Sequence, residues 1–344
     1  MKLYSSRIAG TGSAFPERVV TNEELCRWLE NLPGEVPENF SPDWIFERTG
    51  IKTRHLARSG ETVSELAFLA SVRALSKAGI LDKDIDGILV ATCTPEQPLP
   101  ASATFLQMKL GATRAFALDV NAACSGFQHA WALAHAMVAS GQAKNMLVVG
   151  ADVLSSVTDY TDRKSAILFG DGAGAVVITR DENLENAPRF SLSADGREWD
   201  LFQVPAGGSA KPAFGIDPRD KAEISYSQTR MQMKGTEIFK SSVRTMVDLS
   251  AKLLTELGLS VSDIDFVVPH QANLRILEAV ARKTQIPLAK FILNIETRGN
   301  TSAATVPTAL DEGFRSGRIL PGHRILVPVF GAGTTSGVTI ARIS

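Results

Sequence analysis

Ile80–Thr92 reads ILDKDIDGILVAT, and Leu259–His270 reads LSVSDIDFVVPH. Each segment follows a stretch with apolar residues at helical spacing that ends in glycine: Ser64–Ala78 before Gly79, and Phe239–Leu257 before Gly258. Each then carries a turn, an Asp-Ile-Asp triplet (Asp84-Ile85-Asp86 and Asp263-Ile264-Asp265) and a short apolar run that predicts a buried strand. Working outward, Ser125–Ser140 predicts a helix closed by Gly141 and followed by the strand Met146–Val149. Ser302–Arg315 predicts a helix closed by Ser316-Gly317 and followed by the strand Ile325–Val329. A glycine-rich hairpin ends each half, FGDGAGAVVIT from Phe169 and FGAGTTSGVTI from Phe330. Matched features in one order are the mark of an internal duplication.

Helices alternating with short Val/Ile-rich strands predict mostly parallel sheets covered by helices. Two such halves predict an α/β fold of five layers, α/β/α/β/α, with a pseudo-twofold axis. The division is 1–180 for the first half, 181–232 for a Pro-, Gly- and charge-rich connection, and 233–344 for the second half. The first half has an extra loop at about Asp152–Leu168.

The composition bounds the partners. The chain has 344 residues, 44% hydrophobic and 21% charged, with a formal net charge of -1. A near-neutral chain has no global field to attract nucleic acid or an anionic membrane, so an acidic partner has to meet a local basic patch. No apolar run reaches the roughly 18 residues of a membrane span, and the N-terminal stretch lacks the apolar core of a secretory signal. The three cysteines, Cys26, Cys93 and Cys124, are far apart and form no C-x-x-C pair. That argues against a disulfide framework and a metal site, and for a reduced, cytoplasmic setting.

Superposing the halves on Ser140-Gly141 and Ser316-Gly317 places Cys124 against Asn300, each just before its half's central helix. His270 ends a strand, where α/β folds place their ligand sites. A lone cysteine is more often an inert apolar residue. A thiol at a helix N-terminus, however, is expected to have a lowered pKa, because unpaired N–H groups there favour the thiolate. Neutral histidine and asparagine amide are suitable donors to a developing oxyanion.

These segments resemble the β-ketoacyl-acyl-carrier-protein synthase III family of the thiolase superfamily. The likeness runs over nearly the whole chain, through IAGTGSAFPERVVTN (8–22), DWIFERTGIKTRH (43–55), NAACSGF (121–127), TDRKSAILFGDGAGAVV (161–177), MKGTEIFK (233–240), VPHQANLRI (268–276) and RGNTSAATVPTALDEG (298–313). It implies a thiolase-like fold and a catalytic trio of Cys124, His270 and Asn300. It also implies acyl-CoA and malonyl-acyl-carrier protein as substrates, a homodimer, and no cofactor beyond the CoA thioester. By the same resemblance, Trp44, Arg48, Arg163 and Asn273 bind CoA, and the backbone N–H of Cys124 with one from the loop at Ala332 holds the oxyanion. Lys240, Arg244, Arg275, Arg282 and Lys283 match or lie near the surface that docks the carrier protein.

The chain departs from the family's pattern in several places. The C-terminal loop FGAGTTSG has Ala332 for a glycine, and Thr334 and Ser336 for bulky aromatics. Leu99 stands where the family often has a large aromatic capping the acyl pocket from the neighbouring subunit. An insertion at about 31–41 precedes Trp44. These differences leave the primer open. An acyltransferase or condensing enzyme of a secondary pathway on the same fold is the alternative activity.

Overall fold

A computed structural model describes residues 3–212 and 224–344. Residues 213–223, part of the expected connection, lie outside the described residues. The first sheet has the order Ser5–Ala14, Gly172–Asp181, Asn145–Asp152, Gly87–Ala91, Phe116–Val120. Its last three strands are parallel, and the other two pair antiparallel. The second sheet runs Arg189–Ser193, Thr335–Arg342, Arg324–Gly331, Phe266–Val267, with a further parallel bridge from Val267 to Phe291. Strand order and directions repeat those of the first sheet. Arg189–Ser193 is therefore an edge strand of the second sheet, although the sequence placed it in the connection. Its five residues alternate too weakly to stand out, since Arg189, Leu192 and Ser193 are exposed and Phe190 and Ser191 only half-buried.

The repeated Asp-Ile-Asp triplet has a physical cause. Ile85 and Ile264 are fully buried. Asp86 Oδ2 accepts from the N–H groups of Lys144 and Asn145, and Asp265 Oδ2 accepts from that of Arg324. Each carboxylate thus caps the start of its half's next strand. The helices Val63–Ala78 and Gly235–Glu256 are each followed by a left-handed glycine, Gly79 and Gly258, both at φ +64°.

Two helices, Gly126–Ala139 and Thr305–Arg315, form the middle layer. One core joins them to both sheets, with Phe127, Trp131, Val306 and Leu310 packed against Leu89, Val148, Ile325 and Val327. Val63–Ala78 and Ser102–Leu110 cover the outside of the first sheet. Gly235–Glu256 and Leu274–Thr284 cover that of the second. The five layers are those of a thiolase-like fold.

Candidate active site

Both central helices are entered through the same tight turn. After the strand Phe116–Val120, Asn121 Oδ1 accepts the Ala123 N–H at 3.2 Å, and Ala123 takes φ +48°. In the other half, Asn300 Oδ1 accepts the Ser302 N–H at 2.9 Å, and Ser302 takes φ +51°. Asn121 and Asn300 are therefore the equivalent residues, and Cys124 corresponds to Ala303. The sequence alignment was three residues out because the helix Gly126–Ala139 has 14 residues and Thr305–Arg315 has 11. Aligning their C-terminal glycines carried that difference back to the turn. The two turns nevertheless meet: Ser302 Oγ donates to Cys124 Sγ at 3.5 Å.

A third strained turn completes the site. Residues other than glycine rarely adopt left-handed φ, and such strain gathers at functional sites. Thr334, at φ +49°, joins Ala123 and Ser302 here. The loop that carries it approaches the nucleophile closely. A Cβ on Gly331 would lie 2.9 Å from Cys124 N and 3.0 Å from Ser125 N, so only glycine fits there. Ala332 is outside the left-handed region, so its Cβ is tolerated and its N–H retained. Thr335 Oγ1 ties the loop to the Ala122 carbonyl at 2.9 Å.

The thiol does not have the lowered pKa expected at a helix N-terminus. Burial pushes Cys124 up to about 11, with the Ser302 hydroxyl pulling the other way and the Asp152 carboxylate adding to the rise. His270 is also buried and is pushed down to about 4. Its backbone N–H bonds the Pro328 carbonyl at 3.0 Å, and its Nδ1 has no hydrogen-bond partner. The resting site thus holds a neutral imidazole and a protonated thiol rather than an ion pair. Behind them Asp152 links the halves. Its Oδ1 accepts from Thr92, Thr94 and Cys93, and its Oδ2 from the Ala303 N–H.

Cys124, His270 and Asn300 share the floor of one cleft of about 750 Å³. At its rim the Arg48 guanidinium stacks on the Trp44 ring at 4.3 Å. Asn273 also lines the cleft. Its Oδ1 caps the helix Leu274–Thr284, and its Nδ2 donates to the Arg48 carbonyl.

Arg163 is placed otherwise. It is 1% exposed, and its guanidinium donates to the carbonyls of Leu29, Leu32, Pro33 and Thr161. The insertion after the helix Asn22–Glu30 leaves carbonyls that need donors, and Arg163 supplies them. Its neighbour Lys164 lines the cleft instead.

A second chamber of about 310 Å³ adjoins Cys124 and Ala332. Cys93, Leu154, Phe169, Phe202 and Met231 wall it, and sequence reasoning assigned none of them to a site. They come from the extra loop, the connection and strand ends, where no periodicity marks them. Leu99 lines neither space; it is 78% exposed on the loop ahead of Ser102–Leu110. Ser336 is buried in its strand and lines neither, whereas Thr334 lines the cleft.

Of the basic residues, Lys240 and Arg244 lie exposed on Gly235–Glu256, and Arg275, Arg282 and Lys283 on Leu274–Thr284, two helices packed on each other. Arg275 also donates to the Glu47 carbonyl, and Arg244 faces Glu198 at 3.7 Å. No helix among the described residues is long and apolar enough to cross a membrane.

Comparison with known proteins accords with this geometry. Residues 118–196 match the family model described as 3-oxoacyl-[acyl-carrier-protein (ACP)] synthase III, and 254–343 match its C-terminal counterpart. The first match contains Cys124, and the second contains His270 and Asn300. The beta-ketoacyl-[acyl-carrier-protein] synthase III of Xanthomonas axonopodis pv. citri is 41% identical over 341 residues, covering 99% of each chain. The crystal structure of 3-oxoacyl-[acyl-carrier-protein] synthase III from Aquifex aeolicus superposes with a TM-score of 0.86 at 36% identity, covering 98% of this chain and 100% of that one. The priming beta-ketosynthase of the R1128 polyketide pathway superposes at 0.88 and 32% identity, over 99% and 97%. The chain belongs to the 3-oxoacyl-[acyl-carrier-protein] synthase III family of condensing enzymes.

Proposed function

We propose that this protein condenses an acyl group delivered by coenzyme A with malonyl-acyl-carrier protein, giving 3-oxoacyl-acyl-carrier protein for fatty acid biosynthesis. The observation that carries the reading is the meeting of the cleft and the apolar chamber at one thiol, with His270 and Asn300 on the same floor. Cys124 sulfur attacks the thioester carbonyl, the bond to the CoA sulfur breaks, and the thiol proton leaves with CoA. The acyl chain then lies in the 310 Å³ chamber. The N–H groups of Cys124 and Ala332 hold the carbonyl oxygen as it gains charge.

Malonyl-acyl-carrier protein enters the emptied cleft. Its carboxylate carbon–carbon bond breaks, carbon dioxide departs, and the electron pair moves toward the thioester oxygen, where His270 and Asn300 donate. A neutral His270 suits this step: it donates a hydrogen bond without adding a cation that would hold the carboxylate in place. The α-carbon attacks the acyl carbonyl, and Cys124 leaves as thiolate. No cofactor beyond the two thioester substrates takes part.

Trp44, Arg48 and Asn273 receive CoA, with Lys164 taking the place first assigned to Arg163. The exposed cations on the two packed helices receive the acidic carrier protein. We read the active form as a cytoplasmic homodimer. The strand Phe116–Val120 pairs with Gly87–Ala91 alone among the described strands, leaving an edge with Phe116 and Leu118 exposed, and Leu99 and Met108, just ahead of and on the helix Ser102–Leu110, are exposed as well. Light scattering that finds a stable monomer overturns the dimer.

Intact-mass spectrometry against a series of acyl-CoA chain lengths tests the activity. The expected result is one acyl adduct on Cys124, strongest for chains that fill the chamber. An unacylated protein across the whole series contradicts it.

A further inference from the structure

Glu198 sits where three elements of the cleft meet. Its Oε2 accepts from Thr334 Oγ1 at 2.9 Å and from Ser241 Oγ at 2.8 Å, and its Oε1 faces Arg244 Nη2 at 3.7 Å. Thr334 belongs to the loop after Gly331. Ser241 belongs to the helix Gly235–Glu256, whose first residues line the cleft. Glu198 itself lies in the turn Gly196–Leu201, whose last residue lines it too. Thr334 and Ser241 are buried, at 7% and 4% exposure, so their hydroxyls need partners, and one carboxylate oxygen serves both.

The loop has reason to need an anchor. Thr334 is β-branched and held at φ +49°, a conformation such residues disfavour. An aromatic at this place, the family's pattern, could be held by packing; Thr334 has its hydroxyl. On the other side Thr335 Oγ1 bonds the Ala122 carbonyl. The turn Ala332–Thr334 is thus pinned between Glu198 and the nucleophile's own turn.

The geometry points to Glu198 as a positioning residue. Through the Thr334 hydroxyl it holds the turn Ala332–Thr334 so that the Ala332 N–H faces the thioester carbonyl at Cys124. The inference rests on the acylation reading above and assigns to a remote carboxylate part of the oxyanion geometry.

The test is the single-turnover acylation of Cys124 by acyl-CoA, followed by intact mass as a function of acyl-CoA concentration. The proteins are the wild type, Glu198→Ala, Thr334→Val, Thr334→Ser and the double variant Glu198→Ala/Thr334→Val. Loss of the anchor is expected to lower the saturating acylation rate about tenfold or more in Glu198→Ala and Thr334→Val, while the half-saturating concentration changes less than about twofold. Thr334→Ser keeps the hydroxyl and is expected to retain the rate. The double variant is expected to lose no more than the worse single, because both changes cut one connection. Wild-type rates in Thr334→Val, equal damage in Thr334→Ser, additive losses, or losses confined to half-saturation each overturn the inference. If Glu198→Ala does not fold, the Thr334 pair decides alone. A wild type that is never acylated refutes the activity itself, which separates the two failures.

Discussion

The turns Asn121–Ser125 and Asn300–Ala304 are copies of one device: an asparagine oxygen bonds the N–H two residues on, a left-handed residue follows, and a helix begins. Their chemistry has diverged. The first carries a thiol at its fourth position, and its asparagine borders the smaller, apolar chamber. The second has Ala303 at the thiol's place, and its asparagine lines the larger cleft together with His270. Duplication supplied two strained turns that meet at the starts of the central helices, and in the proposed reaction side-chain choice divides the labour: one turn would hold the covalent acyl group, the other polarise the second substrate.

The largest expected effect follows from that division. Cys124→Ala should abolish the acyl adduct; an adduct of the same mass and rate would move the nucleophile elsewhere. Next comes the contact that fixes the third strained loop. Gly331→Ala puts a Cβ within 3 Å of the Cys124 and Ser125 nitrogens. It should lower stability by about 1–3 kcal/mol and slow acylation, measured by thermal unfolding and single-turnover mass. An unchanged protein would show that the loop can retreat from the nucleophile's turn.

The pH dependence sharpens the comparison from the thiol's side. With Cys124 raised to about 11 and His270 neutral above about 4, the thiolate fraction should grow about tenfold per pH unit across neutrality. Carboxamidomethylation of Cys124 reads this directly. A plateau that already begins below neutral pH would mean a thiolate–imidazolium pair instead. The smallest effect on chemistry belongs to Arg163→Ala. It should lower stability by roughly 1–3 kcal/mol through four orphaned carbonyls, with the acyl-CoA KM nearly unchanged. A large rise in KM without loss of stability would return Arg163 to the CoA site.

The duplication was legible because its anchors are local and chemical: an Asp that caps the next strand, an Ile that fills the core and a glycine that ends a helix recur in order. Cys124 and His270 could be placed at element ends by a strand-and-helix reading, whereas Asn300, which lines the same cleft, was reached through an alignment three residues out and through the family resemblance. The fine equivalence was not legible, since a helix shortened by three residues leaves no mark in composition. Arg163 and Lys164 are adjacent and both basic; only the carbonyls left by the insertion decide which turns inward. The chamber residues Cys93, Leu154, Phe169, Phe202 and Met231 converge from five separate segments, and nothing along the chain announces that meeting. The thiol's pKa escaped the sequence for a similar reason: a helix start was visible, but the depth of burial that outweighs it was not.

The central claim is that the two like turns do different work, and carbon dioxide release from malonyl-acyl-carrier protein by the acylated enzyme tests it most directly. Asn300→Ala should lower the release rate by about 10²–10³, as expected for losing one donor to a developing oxyanion. Asn121→Ala removes the same backbone bond from the other turn and should cost about 1 kcal/mol of stability while keeping release within about tenfold of wild type. Equal losses of release in the two variants would contradict the account, because they would make Asn300 a turn-former like its counterpart.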